Sequence, residues 1–138
     1  MGVGNAVVSA VLRSPLHRLL SGSTDLITYT GRRSGRSFTT PTQYAQRGAD
    51  VIILVGRPEA KTWWRNFKGE RDLNVLVRGR WLPMTGRAVV GADEPETIAP
   101  LLGAYLDRFP KAARALGDDG NGLRAQRAVI LWCRPRSQ

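Results

Sequence analysis

Leu26-Ile27-Thr28-Tyr29-Thr30-Gly31-Arg32-Arg33-Ser34-Gly35-Arg36-Ser37-Phe38-Thr39-Thr40-Pro41 sets an apolar run and a Thr-rich run on either side of a short turn. That is the pattern of two strands joined by a hairpin, with strand one near Asp25 to Thr30 and strand two near Arg36 to Gln46. The turn holds two glycines and three arginines. Gly31 and Gly35 permit backbone turns whose N–H groups converge on an anion, and Arg32, Arg33 and Arg36 add planar donors for phosphate or carboxylate oxygens. A solvated hairpin tip would carry the same residues, so the turn by itself leaves both readings open.

Outward from the turn the chain reads as more strands. Arg47-Gly48-Ala49-Asp50 is a second turn leading into Val51-Ile52-Ile53-Leu54-Val55, whose continuous apolar run predicts a strand buried on both faces. Asp72 to Arg78 and Trp81 to Gly91 form a hairpin about Gly79, with Pro83 favouring an edge or a bulge. Arg127 to Arg134 is the closing strand and includes Cys133.

Between them lie helical pieces. Thr62 is placed to cap a short helix over Trp63-Trp64-Arg65-Asn66-Phe67, and two adjacent tryptophans on a helix cannot enter the same core, so one should border a cleft. Asp93, with Glu96 three residues on, predicts the start of a helix that Pro100 kinks or splits and Pro110 ends. A short helical piece follows near Lys111 to Leu116, then the loop Gly117 to Gly122. Residues 1–22 read as an amphipathic helical segment interrupted at Pro15, and residues 23–138 as one globular domain. Six antiparallel strands with flanking helices make the chain mainly β and favour a closed or half-closed barrel.

The composition narrows the chemistry. The 138 residues carry a net charge of +10. Residues 1–92 hold 14 basic and 5 acidic side chains, net +9, so the excess is local and suits a polyanionic partner. Nucleic acid, an anionic membrane and a polyanionic cofactor all qualify. The lone Cys133 and lone His17 leave no zinc-ligand spacing, and no carboxylate pair or Ser/His/Asp set supports hydrolysis. The N-terminal apolar stretch is short and follows no basic residue, which predicts a cytoplasmic protein with at most peripheral membrane contact through its first helix. The concentrated chemistry is cationic and aromatic: Arg32, Arg33, Ser34 and Arg36, then Arg57 and Lys61, then Trp63 and Trp64. Such a set suits a phosphorylated, flat, conjugated molecule, and equally a single strand of nucleic acid.

The order Thr30-Gly31-Arg32-Arg33-Ser34-Gly35, then Pro41, then Trp63-Trp64-Arg65-Asn66-Phe67 resembles the deazaflavin-dependent nitroreductase family. That family has a Thr-Gly-Arg-(Arg/Lys)-(Ser/Thr)-Gly turn followed by a Trp-(Tyr/Trp)-x-Asn-(Leu/Phe) helix. The resemblance implies a split β-barrel of the FMN-binding type, the 8-hydroxy-5-deazaflavin coenzyme F420 as cofactor, and hydride transfer to a small apolar acceptor: a nitro compound, a quinone or an activated alkene. It places Arg33 and Ser34, with Arg32, Gly35 and Arg36 on the same turn, at the cofactor's phosphate and glutamate tail. Pro41, Thr42 and Gln43 fall along the ring, Arg57 and Lys61 in a tail-contacting loop, and Trp63 with Trp64 beside the ring. Tyr44 and Tyr105 are the candidate proton donors. A homodimer and no nucleic-acid partner are the matching expectations; an FMN-using or non-catalytic split barrel is the alternative, and a basic nucleic-acid-binding barrel a more distant one. There are departures. Phe38 stands where some relatives carry another tail-binding Arg, and the Gly56 to Lys61 loop is shorter than theirs. Lys111 to Gln126 has none of the tyrosines that the nitroreductase prototype offers its substrate, which bears on nitro reduction more than on cofactor binding.

Overall fold

The computed structural model describes residues 24–117 and 123–136. The stretch 1–22 expected to be helical, with His17, and residues 118–122 of the expected loop lie outside the described residues.

Seven strands form one antiparallel sheet: β1 (Thr24–Thr30), β2 (Ser37–Gln43), β3 (Ala45–Arg47), β4 (Asp50–Leu54), β5 (Arg71–Val77), β6 (Arg80–Val90) and β7 (Val129–Pro135), in the spatial order β2-β1-β5-β6-β7-β4-β3. This corrects the expectation of six strands. The run read as one strand from Arg36 to Gln46 divides at Tyr44: β2 pairs with β1, and β3 pairs with β4. The two edges of the sheet are thus consecutive pieces of chain, and a sheet whose edges are tied through one residue must curl into a half-closed barrel. This is a split β-barrel.

β4 is covered on both faces, as its apolar run predicts. Val51 and Ile53 point into the barrel with Ile27, Val75 and Leu131, whereas Ile52 packs outward beneath a helix. Full burial of each such aliphatic side chain stabilises the fold by roughly 1.5–3 kcal/mol. Cys133 is fully buried in the barrel interior, and burial pushes its thiol well above the usual range, so it serves packing. β5 and β6 meet at a two-residue turn, Arg78 and Gly79, both at positive φ (52° and 81°), which suits the right-handed twist of a hairpin. Pro83 lies in β6 just before its pairing with β7 begins at Met84, where that side of the strand needs no ladder N–H.

Helix α1 (Pro95–Arg108) lays Ile98, Leu101, Leu102 and Tyr105 on the outer face of the sheet. Two expectations change here. Asp93 does not cap it: the N-cap is Glu94, whose carboxylate makes no cap bond and instead accepts from Arg87 at 2.8 Å. Pro100 neither splits nor ends the helix. It is exposed and near the N-terminus, so the Glu96 carbonyl it leaves without a helical partner lies on the solvated side. A 3-10 turn (Pro110–Ala112) and the short helices α2 (Ala113–Leu116) and α3 (Leu123–Arg127) lead to β7. Among the described residues no helix is long and apolar enough to cross a membrane.

Candidate functional site

The turn between β1 and β2 closes on itself. Gly31 N–H donates to the Arg36 carbonyl (2.8 Å), Gly35 N–H to the Gly31 carbonyl (3.0 Å), and Arg36 N–H to Ser34 Oγ (3.2 Å). A side chain at Gly31 would displace the Phe38 ring, since a Cβ there would sit 2.6 Å from it. Asn66 joins this turn to the Trp63–Phe67 segment, which is a 3-10 helix. Its Oδ1 accepts from Arg32 N–H at 2.8 Å, and its Nδ2 donates to the Trp63 carbonyl at 2.7 Å. The two stretches that stood out in the sequence are therefore tied together by one asparagine, whose carbonyl oxygen holds the turn and whose amide N–H holds the 3-10 helix. Thr62 occupies the N-cap position, but its side chain makes no cap bond.

Two cavities meet at Trp63. The turn compartment, about 430 Å³, is lined by Arg32, Arg33, Ser34, Phe38 and Arg65 together with Trp63. The ring-sized compartment beside it, about 630 Å³, is lined by Thr40 to Gln43, by Val55, Gly56 and Lys61, and by Tyr105, Ala112 and Ala115, with Trp63 again as a wall. β2 divides between them along its length: Phe38 lines the turn compartment, and Thr40 to Gln43 line the ring-sized one. Phe38, Thr40 and Thr42 pair with Tyr29, Ile27 and Asp25 of β1. Because β2 is an edge strand, paired on one side only, Pro41 and Gln43 of its other row line the cleft as well. The Tyr29 ring stacks on Phe38 at 5.7 Å, lies 6.4 Å from Trp63 and meets Phe67 edge-on at 5.3 Å, so an aromatic wall backs the charged end.

The electrostatics are asymmetric. The turn compartment presents three arginines, and the Nε of Arg65, shielded from solvent, has no hydrogen-bond partner among the described residues. An anion in that compartment would meet charge-assisted donors. At the far end Asp25 is fully buried, accepts from the Thr42 hydroxyl, and leaves its second oxygen without a partner. Burial raises its carboxyl to about 7, against the smaller opposing pull of the Thr42 hydrogen bond. Burial also raises the phenols of Tyr29, Tyr44 and Tyr105.

Of the residues singled out in the sequence, Arg32, Arg33 and Ser34 line the turn compartment, Pro41, Thr42, Gln43 and Lys61 line the ring-sized one, and Trp63 lines both. Gly35, Arg36 and Arg57 are exposed outside both linings; Gly35 shapes the turn at φ 69°. Trp64 is corrected: it is buried in the core with its indole N–H donating to the Pro58 carbonyl at 2.8 Å, so the core takes this tryptophan and the cleft takes its neighbour. Tyr44 is likewise inside the barrel core and outside both linings, with Arg78 as its hydrogen-bond partner. Tyr105 packs under α1 and still reaches the ring-sized compartment. Sequence reasoning missed Tyr29, Thr40 and Arg65 as lining residues, and Asp25. The alternation of β1 and β2 carried the signal for Tyr29, Thr40 and Asp25; nothing local marked Arg65.

The fold is similar to that of FDR-A, an F420-H2 dependent reductase, with 19% identity over 81% of this chain and 94% of that one, and a TM-score of 0.63. It is also similar to a chain solved as a domain-swapped dimer (18% identity, 92% and 99% of the two chains, TM-score 0.60). HutZ, the heme storage protein of Vibrio cholerae, shares it at 12% identity over 91% of each chain, with a TM-score of 0.55. At these identities the likeness is one of fold. No curated protein matches the chain by sequence. The profile of the F420H(2)-dependent quinone reductases matches residues 10–109.

Proposed function

This chain belongs to the F420H(2)-dependent quinone reductase family, and from that footing we propose that its two-compartment cleft holds coenzyme F420 and presents it to a quinone. The protein is an oxidoreductase and its cofactor is F420. The observation that carries the assignment of residues is the meeting of a cationic compartment and a larger one at a single indole, Trp63. A cofactor with a phosphate and an oligoglutamate tail at one end and a flat deazaflavin at the other matches that order of charge and apolar wall.

In this reading Arg32, Arg33 and Ser34 bind the tail, with the unpartnered Nε of Arg65 facing the same charge. Asn66 acts as a positioning residue, since it fixes the turn against the Trp63 segment. Pro41, Thr42, Gln43, Lys61 and Trp63, which line the ring-sized compartment, would hold the deazaflavin ring. When bound, the cofactor supplies the hydride, and the protein supplies orientation, exclusion of water and protons. Ala112 and Ala115 present short side chains to the same cavity and leave room for a flat acceptor. A quinone is favoured over a nitro compound because no tyrosine lies between Lys111 and Gln126. The protein acts as a homodimer in this account, in keeping with the domain-swapped relative; light scattering giving twice the chain mass would support that.

Titration of the purified protein with F420, followed by its fluorescence, tests the cofactor site, with FMN as competitor. Micromolar binding of F420 that excess FMN fails to displace is expected. Tighter binding of FMN would favour a flavin-using barrel instead. Turnover of reduced F420 with a quinone and a nitroaromatic side by side then separates the acceptors.

A further inference from the structure

Asp25 is the only charged side chain fully buried among the described residues, and its neighbours on the same face of β1, Ile27 and Tyr29, belong to the hydrophobic core. It shares the inward row of β1 with Ile27 and Tyr29, where an aliphatic residue would fill the space without the desolvation cost of a charge. One of its oxygens accepts from the Thr42 hydroxyl, and the other has no partner. Thr42 is its register partner on the edge strand β2 and also lines the ring-sized compartment. A buried acid is therefore one hydroxyl away from the cavity in which the acceptor would sit.

We propose that Asp25 and Thr42 form a proton-holding pair that delivers a proton to the reduced acceptor, with the Thr42 hydroxyl in contact and Asp25 as the positioning residue behind it. This rests on the proposed function. A quinone that has gained a hydride carries one negative charge on oxygen. In the protonated pair the hydrogen bond runs the other way, from the Asp25 carboxyl to the Thr42 oxygen, which frees the Thr42 O–H for the acceptor. The product oxygen takes the Thr42 proton as Thr42 takes the Asp25 proton, so one O–H bond forms on the product, one is exchanged at Thr42, and one breaks at Asp25. Asp25 is left as a carboxylate and regains its proton from water, and no electrons move between the residues.

The surroundings suit this use. Burial raises the carboxyl of Asp25 to about 7, which lets it hold and release a proton near neutral pH. The titratable groups that feel Asp25 from the packed elements are Tyr44 after β2, Tyr105 on α1 and Cys133 on β7, and all three are shifted upward, away from neutrality. Arg78 and Arg108 act on Tyr44, Asp50 acts on Cys133, and Lys61 is the cation lining the same cavity. Asp25 is thus the acid among them that changes charge near pH 7.

The test uses Asp25→Asn, which keeps an acceptor for Thr42, together with Thr42→Val and Thr42→Ser. Infrared spectra of the protein without cofactor should show a protonated carboxyl band that fades as pH rises through about 7 and is absent from Asp25→Asn. F420 affinity of Asp25→Asn should stay within about twofold of the parent, while single-turnover reduction of a quinone slows by about 10²-fold or more and loses its pH break. Thr42→Val should slow it comparably, and Thr42→Ser should restore most of the rate. A carboxyl band that titrates in the ordinary carboxylate range would overturn the proposal, as would an unchanged pH profile in Asp25→Asn that still binds F420. Failure of the parent protein to bind F420 would instead remove the function on which the pair depends.

Discussion

Trp63 faces both compartments while Trp64, its neighbour, is held in the core by a hydrogen bond to the Pro58 carbonyl, so the same side chain does different work one position apart. Trp64→Ala should destabilise the protein by about 3–5 kcal/mol, as removal of a buried aromatic does, with F420 affinity of the folded fraction kept. Trp63→Ala should do the opposite: a small loss of stability and about a tenfold weaker F420 complex, corresponding to roughly 1.4 kcal/mol. Chemical denaturation and fluorescence titration separate the two. Arg33→Ala removes charge-assisted donors and should raise the apparent F420 dissociation constant about tenfold with little effect on stability. Asp25 also sets a pH dependence of stability. Its folded value of about 7 lies above the unfolded one, so the folded state binds the extra proton between them. The stabilisation is fully present below the unfolded value near 4 and is lost as pH rises through the folded value, by at most about 1.4 kcal/mol per unit. The urea midpoint of the parent should therefore fall on going from acid to mildly alkaline pH, and that of Asp25→Asn should fall less.

At the scale of elements, what was legible followed from local chemistry. The glycine-arginine turn, the buried run of β4, the hairpin at Gly79 and the closing strand all announce themselves through turn residues and periodicity. The division of the second strand at Tyr44 was hidden because the alternation of β2 continues without interruption into β3; only the pairing partners change, and pairing is a tertiary choice. Glu94 displaced Asp93 at the start of α1 for a similar reason, since its carboxylate meets Arg87 from β6. Asn66 was visible as part of a motif, but its role as the tie between turn and 3-10 helix needed the two brought together. Gly91 is a further case: a Cβ there would lie 1.6 Å from the Ala125 carbonyl oxygen, where backbone from α3 crosses the end of β6. Gly91→Ala should accordingly cost more than about 3 kcal/mol, seen as a large drop in melting temperature.

At the scale of the molecule, the curling of the sheet leaves the inward row of its edge strand free to line a cleft, while the basic excess collects on the turn and loops around it. The charged half of that cleft could be read from the arginines of the turn, because charge and glycine are local signals. The apolar half could not be read in full, because Thr40, Val55, Tyr105 and Ala112 come from elements far apart in the chain and mark nothing by themselves. In the proposed function the cationic turn and the ring-sized cavity hold a single molecule across Trp63. The most direct measurement of this is the F420 affinity of the parent, Arg33→Ala and Trp63→Ala, each compared with a deazaflavin fragment that lacks the phosphate and glutamate tail. The account predicts that Arg33→Ala weakens whole F420 but leaves the fragment unaffected, whereas Trp63→Ala weakens both. Equal effects of Arg33→Ala on cofactor and fragment, or no effect of either substitution on F420, would contradict it.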